Sequence, residues 1–146
     1  MLWQLNGDET LVRRNGTKPR EPKPRRVSKY KNKRVVYDNQ NFDSKAECQH
    51  YINLKLLKEK GEISDFKRQV PYVLQEGYPC PETGRKIRPI TYIADFVVTY
   101  PDGRESVQDV KGSKGFMTEI FKIKRKMFMF RYKVPLEIVL VKVPRS

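Results

Sequence analysis

The strongest structural signal in the chain is the stretch RPITYIADFVVTYPDGRESVQDVK, residues 88–111. Residues 88–100 are rich in β-branched and aromatic side chains, which favour a strand. Pro101-Asp102-Gly103 follows as a tight turn, and residues 104–111 are predicted to form the partner strand. The stretch therefore predicts a β-hairpin.

Upstream of this hairpin, the sequence predicts a short strand, a helix and a longer strand. Val35–Tyr37 form the short strand, and a turn leads into a helix from residue 43 or 44 to residue 60. Capping residues lie at the start of this helix, and Gly61 ends it. Residues 66–75 alternate as a strand, and Gly77–Gly84 form a turn-rich connection.

Downstream of the hairpin, the sequence predicts a second helix and a last strand. The helix runs from about Phe116 to Arg131, and residues 136–141 are apolar enough for a strand in the interior of a sheet. The order α-β-β-β-α-β predicts one α/β domain, with a mixed four-stranded sheet flanked by helices. The second helix is recognised by apolar residues at helical spacing, namely Phe116, Ile120, Ile123, Met127 and Phe130.

The charge of the chain indicates a polyanionic partner. There are 31 Lys and Arg against 17 Asp and Glu, a net charge of +14, which disfavours an enzyme of neutral small molecules. Residues 1–28 are basic, carry three prolines and are predicted to form a flexible arm before a domain at residues 29–146. The arm is either a solvated tail or a segment that binds phosphate, and the sequence leaves both open.

Counts of cysteine, histidine and apolar runs exclude several protein classes. Cys48, Cys80 and His50 are too few for a disulfide framework or a four-ligand zinc site. No run of about 18 apolar residues suggests a membrane span, and the polar N-terminus does not resemble a signal peptide. The sequence predicts a reduced intracellular protein, with His50 exposed on the first helix and Cys80 in a turn.

Asp95 is a carboxylate inside the most hydrophobic predicted strand. Such a group is costly to bury unless it is paired or bound to a metal. Strand alternation places Asp95 on the face of Ile93 and Val97, opposite the face of Ala94 and Phe96. A salt bridge is the alternative to a metal for this carboxylate.

Asp109 and Lys111 lie on one face of the partner strand, together with Val107. The hairpin can bring Asp109 close to Asp95, and two carboxylates that converge repel each other unless a cation lies between them. Mg²⁺ is the usual cation for such oxygen ligands, with Mn²⁺ as a substitute. Lys111 would then assist an attacking water or stabilise negative charge on a phosphate. The alternative is that Asp109 and Lys111 form an exposed ion pair. The basic charge of the whole chain disfavours this alternative.

Glu47 on the first helix is a candidate third carboxylate. It lies one turn before Tyr51, within the apolar arc of the helix. Ser44 and Glu47 also match a capping box, in which Glu47 bonds back to the start of the helix. The pattern alone leaves both roles open.

Asp95 followed by the triplet Asp109-Val110-Lys111 resembles the signature of the PD-(D/E)XK nuclease superfamily, and the order of elements matches its core. The chain also resembles a phage-borne family of small nucleases within that superfamily, over about residues 28–142. Ala94 stands where the superfamily has proline, and Asp109 where glutamate is commoner, but both ligand oxygens are kept. Three stretches carry the narrower resemblance, namely 29–47, 91–96 and 109–112.

The resemblance implies a restriction-endonuclease-like core and a Mg²⁺-dependent DNA endonuclease. Glu47, Asp95 and Asp109 would be the metal ligands and Lys111 the catalytic lysine, and Gln69 is a further candidate that points into the site. The implied substrate is branched DNA, such as a Holliday junction, in phage recombination or replication. A homodimer is implied because two matched cuts need two sites, and the implied location is the cytoplasm of the bacterial host.

Basic residues near the second helix are candidates for contacts with the DNA backbone. Arg125 and Lys126 lie three and four residues after Lys122, which places the three on one side of the helix, and Lys114 lies in the preceding loop. A solvated helix face is the alternative. The competing function is a non-catalytic DNA-binding protein, although such a protein gains nothing from carboxylates buried beside phosphate. A third function, RNA binding, predicts a preference for single strands without metal dependence.

Overall fold

The computed structural model describes residues 34–113, 115 and 117–143. It also gives the backbone of two short strands nearer to the N-terminus, β1 (Trp3–Leu5) and β2 (Leu11–Arg13). These two strands pair antiparallel with each other, a pairing that the sequence did not predict.

The chain divides into two compact units, residues 1–31 and residues 32–146. Apart from β1 and β2, the predicted basic arm at residues 1–28 lies outside the described residues. Lys114 and Phe116, which the sequence analysis singled out, also lie outside them. The fold of the second unit positions the candidate site.

A hairpin opens the described part of the second unit. β3 (Val35–Tyr37) pairs antiparallel with β4 (Gln40–Phe42). Asp38 and Asn39 join the two strands with φ angles of 53° and 56°, the left-handed pair typical of a two-residue hairpin turn. Tyr51 Oη donates a hydrogen bond of 2.8 Å to Asp38 Oδ2, which ties the turn to the helix that follows.

The first helix, α1 (Lys45–Glu59), begins and ends where the sequence predicts. Ser44 is its N-cap, and Ser44 Oγ accepts a hydrogen bond of 3.1 Å from the backbone N–H of Glu47. Gly61 follows the last turn with a φ of 75°, a conformation that favours glycine. Five side chains of the helix are buried, namely Ala46, Cys48, His50, Tyr51 and Leu54.

The burial of His50 corrects the prediction that this residue is exposed. Its ring packs against Phe96 with 5.0 Å between centroids, and its Nε2 lies 2.8 Å from Gln108 Oε1. Gln108 Nε2 donates to Ser106 Oγ, and Ser106 Oγ donates to Glu137 Oε2. Burial lowers the pKa of His50. Gln108, whose hydrogen bond compensates for the burial of His50, lies on a strand far away in the sequence, so the pattern of the helix did not predict it.

The predicted order α-β-β-β-α-β is confirmed by the main elements of the second unit. They surround a mixed four-stranded sheet of strand order β10-β9-β8-β5, in which β10 is parallel to β9 and the other pairs are antiparallel. The elements after α1 are β5 (Asp65–Gln75), β6 (Tyr78–Pro79), β7 (Lys86–Ile87), β8 (Ile90–Thr99), β9 (Glu105–Lys111), α2 (Glu119–Tyr132) and β10 (Leu136–Leu140).

Two details of this sheet differ from or extend the prediction. β10 lies at an edge, although its apolar sequence predicted an interior strand. Leu136 and Val141 are buried in the clusters on opposite faces of the sheet. The apolar run therefore reflects packing on both faces of the sheet and not a neighbouring strand on each side. The turn-rich connection contains a small hairpin of β6 and β7, with Cys80 in its turn as predicted.

One hydrophobic cluster lies on each face of the sheet. Phe96 and Val98 of β8 belong to the cluster that contains residues of α1, whereas Ala94 and Val97 belong to the cluster that contains residues of α2. The prediction that Ala94 and Phe96 share a face is therefore wrong. Strict alternation fails at the residue between them, Asp95, where the pairing of β8 with β5 is also interrupted.

The second helix begins three residues later than predicted, after the N-cap Thr118. Thr118 Oγ1 accepts a hydrogen bond of 3.1 Å from the backbone N–H of Phe121. At the other end, Lys133 adopts a left-handed φ of 58° and its backbone N–H donates to Met129 O. Among the described residues, neither α1 nor α2 nor any other helix is long and apolar enough to cross a membrane.

The buried face of α2 is not the face that the sequence predicted. Phe121 and Phe128 are buried, whereas Ile120, Ile123 and Phe130 are 68%, 57% and 77% exposed. Two apolar stripes therefore occupy the same helix. Of the predicted stripe, Met127 is half-buried and packs against the cluster beneath α2. Spacing alone could not choose between them, because the sheet-facing side also carries basic residues.

Those basic residues bond to the sheet through its backbone. Lys124 Nζ donates a hydrogen bond of 3.0 Å to Thr91 O, and Arg125 Nε donates one of 3.0 Å to Leu136 O. Their aliphatic stems can lie along the apolar surface while the charged groups reach carbonyl oxygens. The side of α2 that faces the sheet therefore contains basic as well as apolar residues, so the sequence pattern did not identify it as the buried side.

Candidate active site

Asp95 and Asp109 lie where β8 and β9 separate. The last paired residues are Phe96 and Gln108, and the two aspartates are the next residues on their strands. Beyond this point β8 continues beside β5, and β9 continues beside β10. The backbone N–H of Val110 donates a hydrogen bond of 2.8 Å to Asp95 Oδ2 across the opening. The structure thus brings together the two carboxylates that the hairpin predicted to converge.

Asp109 is buried, and each of its carboxylate oxygens has a different neighbour. Tyr92 Oη donates a hydrogen bond of 2.8 Å to Oδ1. Lys111 Nζ lies 2.9 Å from Oδ2, an ion pair whose angles do not form a hydrogen bond, so Oδ2 has no hydrogen-bond partner. Lys111 Nζ also lies 4.3 Å from the centroid of the Phe121 ring. Asp109 is buried and Lys111 is half-buried, unlike the exposed ion pair that was the alternative.

Glu47 lies half-buried in the first turn of α1, where its backbone serves the helix cap. Burial raises the pKa of its carboxyl group, and the charges of Asp43 and Asp109 add to this effect, while the charge of Arg68 opposes it. Glu47 is therefore within electrostatic reach of Asp109. Of the capping box, the structure shows the bond from the Glu47 backbone N–H to Ser44 Oγ. The charge of Asp109 acting on Glu47 is consistent with the second role, a place beside the other carboxylates.

Asp95 has the most perturbed carboxyl group of the cluster. Burial, together with the charges of Glu47 and Asp109, raises its pKa to about 7, while the N–H of Val110 and the charge of Lys111 act in the opposite direction. Three carboxylates so close together are costly because their charges repel in a partly desolvated place. A strongly perturbed group beside specific charge partners is typical of a functional site.

These residues fit a divalent cation by their donor chemistry. Carboxylate oxygens are the ligands that Mg²⁺ prefers, and Asp109 Oδ2 is a buried oxygen without a hydrogen bond. Within the described ranges, no group of three or more His, Cys, Asp or Glu side chains is arranged to hold a metal ion. If an ion binds here, Asp95 and Asp109 would hold it, with Glu47 in electrostatic reach.

Gln69 lies on β5 at the level of Asp95 and has a strained backbone. Its φ of 52° is left-handed, and the ladder between β5 and β8 skips it, with Arg68 paired to Phe96 and Val70 paired to Ala94. A non-glycine residue in this conformation costs about 1 kcal/mol or more, and such strain clusters at functional sites. The structure places Gln69 beside the site, with an exposed side chain.

Sequence reasoning missed two residues that act on the carboxylate cluster. Tyr92 was considered only as a strand former, yet its hydroxyl bonds to Asp109. Arg68 stacks on the ring of Phe42 at 3.9 Å, and its charge acts on Glu47. An alternating strand pattern distinguishes inward from outward residues but gives no sign of either contact.

The predicted DNA-binding residues of α2 divide into two kinds. Lys122 and Lys126 are exposed, and Lys122 Nζ lies 2.9 Å from Glu119 Oε1. Arg125, which the sequence placed on the same side of the helix, is half-buried and bonds to Leu136 O instead of facing solvent with the two lysines. The helix therefore presents two exposed lysines, one of them paired with Glu119, rather than a row of three exposed cations.

The substitution Asp95→Asn should stabilise the protein in EDTA at pH 8. With a folded pKa of about 7 against an ordinary value of 3.8, ionisation of Asp95 costs stability progressively as the pH rises from about 4 to 7. The shift corresponds to at most about 4 kcal/mol, and about 2 kcal/mol after allowance for solvent screening. Asparagine removes that cost and still accepts the hydrogen bond from Val110.

Urea unfolding at pH 4 and pH 8 measures this effect. The expected gain at pH 8 shrinks or reverses at pH 4, where Asp95 is protonated in the folded state and about half protonated in the unfolded state, so that its ionisation costs little. Asp102→Asn is the matched control, because Asp102 is an exposed carboxylate in the turn of the same hairpin. Equal changes at both pH values would show that Asp95 has an ordinary pKa.

The fold and the site define an α/β protein whose carboxylates and lysine meet at the opening between two central strands. Residues 27–144 match the family described as protein of unknown function (DUF1064), and the chain belongs to this family. Comparisons with curated proteins and with solved structures gave no match.

Proposed function

We propose that this protein is a divalent-metal-dependent nuclease that hydrolyses phosphodiester bonds in DNA. The proposal includes a restriction-endonuclease-like core of the PD-(D/E)XK type. The observation that carries it is the meeting of Asp95, Asp109 and Lys111 at the opening between β8 and β9, with Glu47 in electrostatic reach. One buried and two half-buried carboxylates that repel one another are energetically costly, and a cation with a phosphate substrate would give them a function.

In this proposal each residue of the cluster has a distinct role. Asp95 and Asp109 would hold the cation, and Glu47 would complete the ligand set from α1. Bound Mg²⁺ would polarise the phosphate and lower the pKa of the attacking water. Lys111, fixed between Asp109 and the ring of Phe121, brings a positive charge and N–H donors to the phosphate or to that water.

The basic surfaces would hold the DNA on either side of the scissile bond. Lys122 follows Phe121 directly, so the exposed lysines of α2 begin next to a side chain that contacts Lys111. Lys126 lies one turn further along the helix, and Lys114 precedes the helix in sequence. Each phosphate contact would add affinity that falls as the salt concentration rises. The basic segment at residues 1–28 would add to this attraction through its charge.

The proposed substrate is branched DNA, such as a four-way junction, and the proposed assembly is a homodimer. Both rest on the resemblance in motif order, because a junction is resolved by two matched cuts. Light scattering coupled to size-exclusion chromatography, with and without a junction, measures the assembly. A mass of one chain per junction would contradict the dimer.

The experiment that tests the function compares end-labelled four-way junction, flap, single-stranded and linear duplex DNA. Each is incubated with the protein in Mg²⁺, in Mn²⁺ and in EDTA. The expected result is metal-dependent cutting with a preference for one of the branched substrates. Tight binding without cutting in either metal would favour the competing function, a non-catalytic DNA-binding protein.

A further inference from the structure

Tyr92 contacts the candidate active site from within the hydrophobic cluster beneath α2. Its ring and the Asp109 carboxylate are both buried, with exposed fractions of 6% and 5%, and its Oη donates a hydrogen bond of 2.8 Å to Asp109 Oδ1. In this contact the phenol O–H is the donor and the carboxylate oxygen is the acceptor.

The direction of the Tyr92 hydroxyl is fixed by its neighbours. The ring of Tyr92 lies with its centroid 6.4 Å from that of Phe121 and 6.1 Å from that of Phe128. Phe121 also contacts Lys111, so one side chain of α2 holds both groups that touch Asp109. Through Phe121 and Phe128, α2 packs on the two groups that contact the Asp109 carboxylate, although no residue of α2 belongs to the carboxylate cluster.

The two carboxylate oxygens of Asp109 have different neighbours. Oδ1 accepts a directional hydrogen bond from Tyr92, whereas Oδ2 is buried and lies 2.9 Å from the Lys111 ammonium without a hydrogen bond. We propose that Tyr92 is a positioning residue, which holds Asp109 so that it presents Oδ2 alone to the cation. This inference rests on the proposed metal-dependent function. Partners that orient a ligand carboxylate in this way typically contribute 10-fold to 100-fold to metal affinity, an order-of-magnitude expectation.

The test is the substitution Tyr92→Phe, which removes the hydroxyl and keeps the ring. Mn²⁺ binding is measured without DNA, by following the electron paramagnetic resonance signal of the free ion. The expected result is a dissociation constant raised by about tenfold. In the cleavage assay, the Mg²⁺ concentration for half-maximal rate should rise by a similar factor, while the affinity for DNA in EDTA stays unchanged.

Two controls separate positioning from a general loss of packing. Tyr72→Phe removes a hydroxyl from the residue paired with Tyr92 across β5 and β8, whose ring packs on Phe128 at 5.0 Å. It should leave Mn²⁺ binding unchanged. In an Asp109→Asn background, Tyr92→Phe should weaken Mn²⁺ binding no further, because the carboxylate that it orients is absent. Additive effects would indicate an indirect structural role.

The outcomes distinguish this inference from the proposed function. Wild-type protein that neither binds Mn²⁺ nor cuts DNA overturns both. Wild-type protein that binds and cuts, with a Tyr92→Phe variant of equal or tighter affinity, overturns the role of Tyr92 alone. If the variant does not fold, nuclear magnetic resonance of the wild type decides. Mg²⁺ should shift the ring signals of Tyr92 but not those of Tyr72, and unchanged Tyr92 signals would overturn the inference.

Discussion

Asp109→Asn and Lys111→Ala should each reduce Mg²⁺-dependent DNA cleavage by about a thousandfold or more. Asp109 supplies the buried oxygen proposed to contact the cation, and Lys111 lies 2.9 Å from that oxygen. A bound metal contributes several kcal/mol of transition-state stabilisation, and each ~1.4 kcal/mol corresponds to a tenfold change in rate. Single-turnover cleavage of the preferred substrate, at saturating protein, measures the effect on the chemical step.

Matched substitutions outside the cluster make this prediction specific. Asp102→Asn changes an exposed aspartate in the turn of the same hairpin, and Lys67→Ala removes an exposed lysine of β5. Both controls should cut at a rate close to that of the wild type. Wild-type rates for Asp109→Asn and Lys111→Ala would mean that the cluster is not the active site, even if the protein is a nuclease.

Phe128→Ala should lower the free energy of unfolding by about 3–5 kcal/mol, whereas Phe130→Ala should change it by about 0.5 kcal/mol or less. Phe128 is fully buried beneath α2 and packs on the rings of Tyr72, Tyr92 and Tyr132. Phe130 is 77% exposed on the same helix. The two substitutions remove the same atoms two residues apart, so each serves as the control for the other.

Urea unfolding followed by circular dichroism measures both stabilities. The result bears directly on which face of α2 packs on the sheet. A larger loss for Phe130→Ala would mean that the stripe predicted from the sequence is the buried one. In that orientation of α2, Phe121 and Phe128 would not pack on the sheet and could not hold Tyr92 and Lys111 in place.

The parts of the fold that the sequence predicted depend on local signals. The Pro101–Gly103 turn fixes the register of β8 and β9, and this register alone brings Asp95 to the level of Asp109. The start of α1 follows from the Ser44 cap, and the positions of the main strands follow from composition and alternation. Because the candidate site lies largely on one hairpin, its two aspartates and Lys111 could be placed without the structure.

The parts that the sequence did not predict depend on contacts between distant segments. His50 is buried because Gln108 on β9 supplies its hydrogen bond. Alternation fails at Asp95, where Gln69 of the neighbouring strand adopts a left-handed conformation. On α2, Arg125 bonds to the backbone of β10 and so occupies the side that a stripe of apolar residues was expected to fill. Such partners have no fixed spacing along the chain.

The central claim is that Asp95 and Asp109 hold a divalent cation at the opening between β8 and β9. Crystals soaked in Mn²⁺, with diffraction collected at a wavelength where manganese scatters anomalously, test it most directly. The expected result is an anomalous peak in contact with carboxylate oxygens of both residues, absent from crystals of Asp109→Asn. No peak at this position, at a Mn²⁺ concentration that saturates the wild-type protein in solution, would contradict the claim.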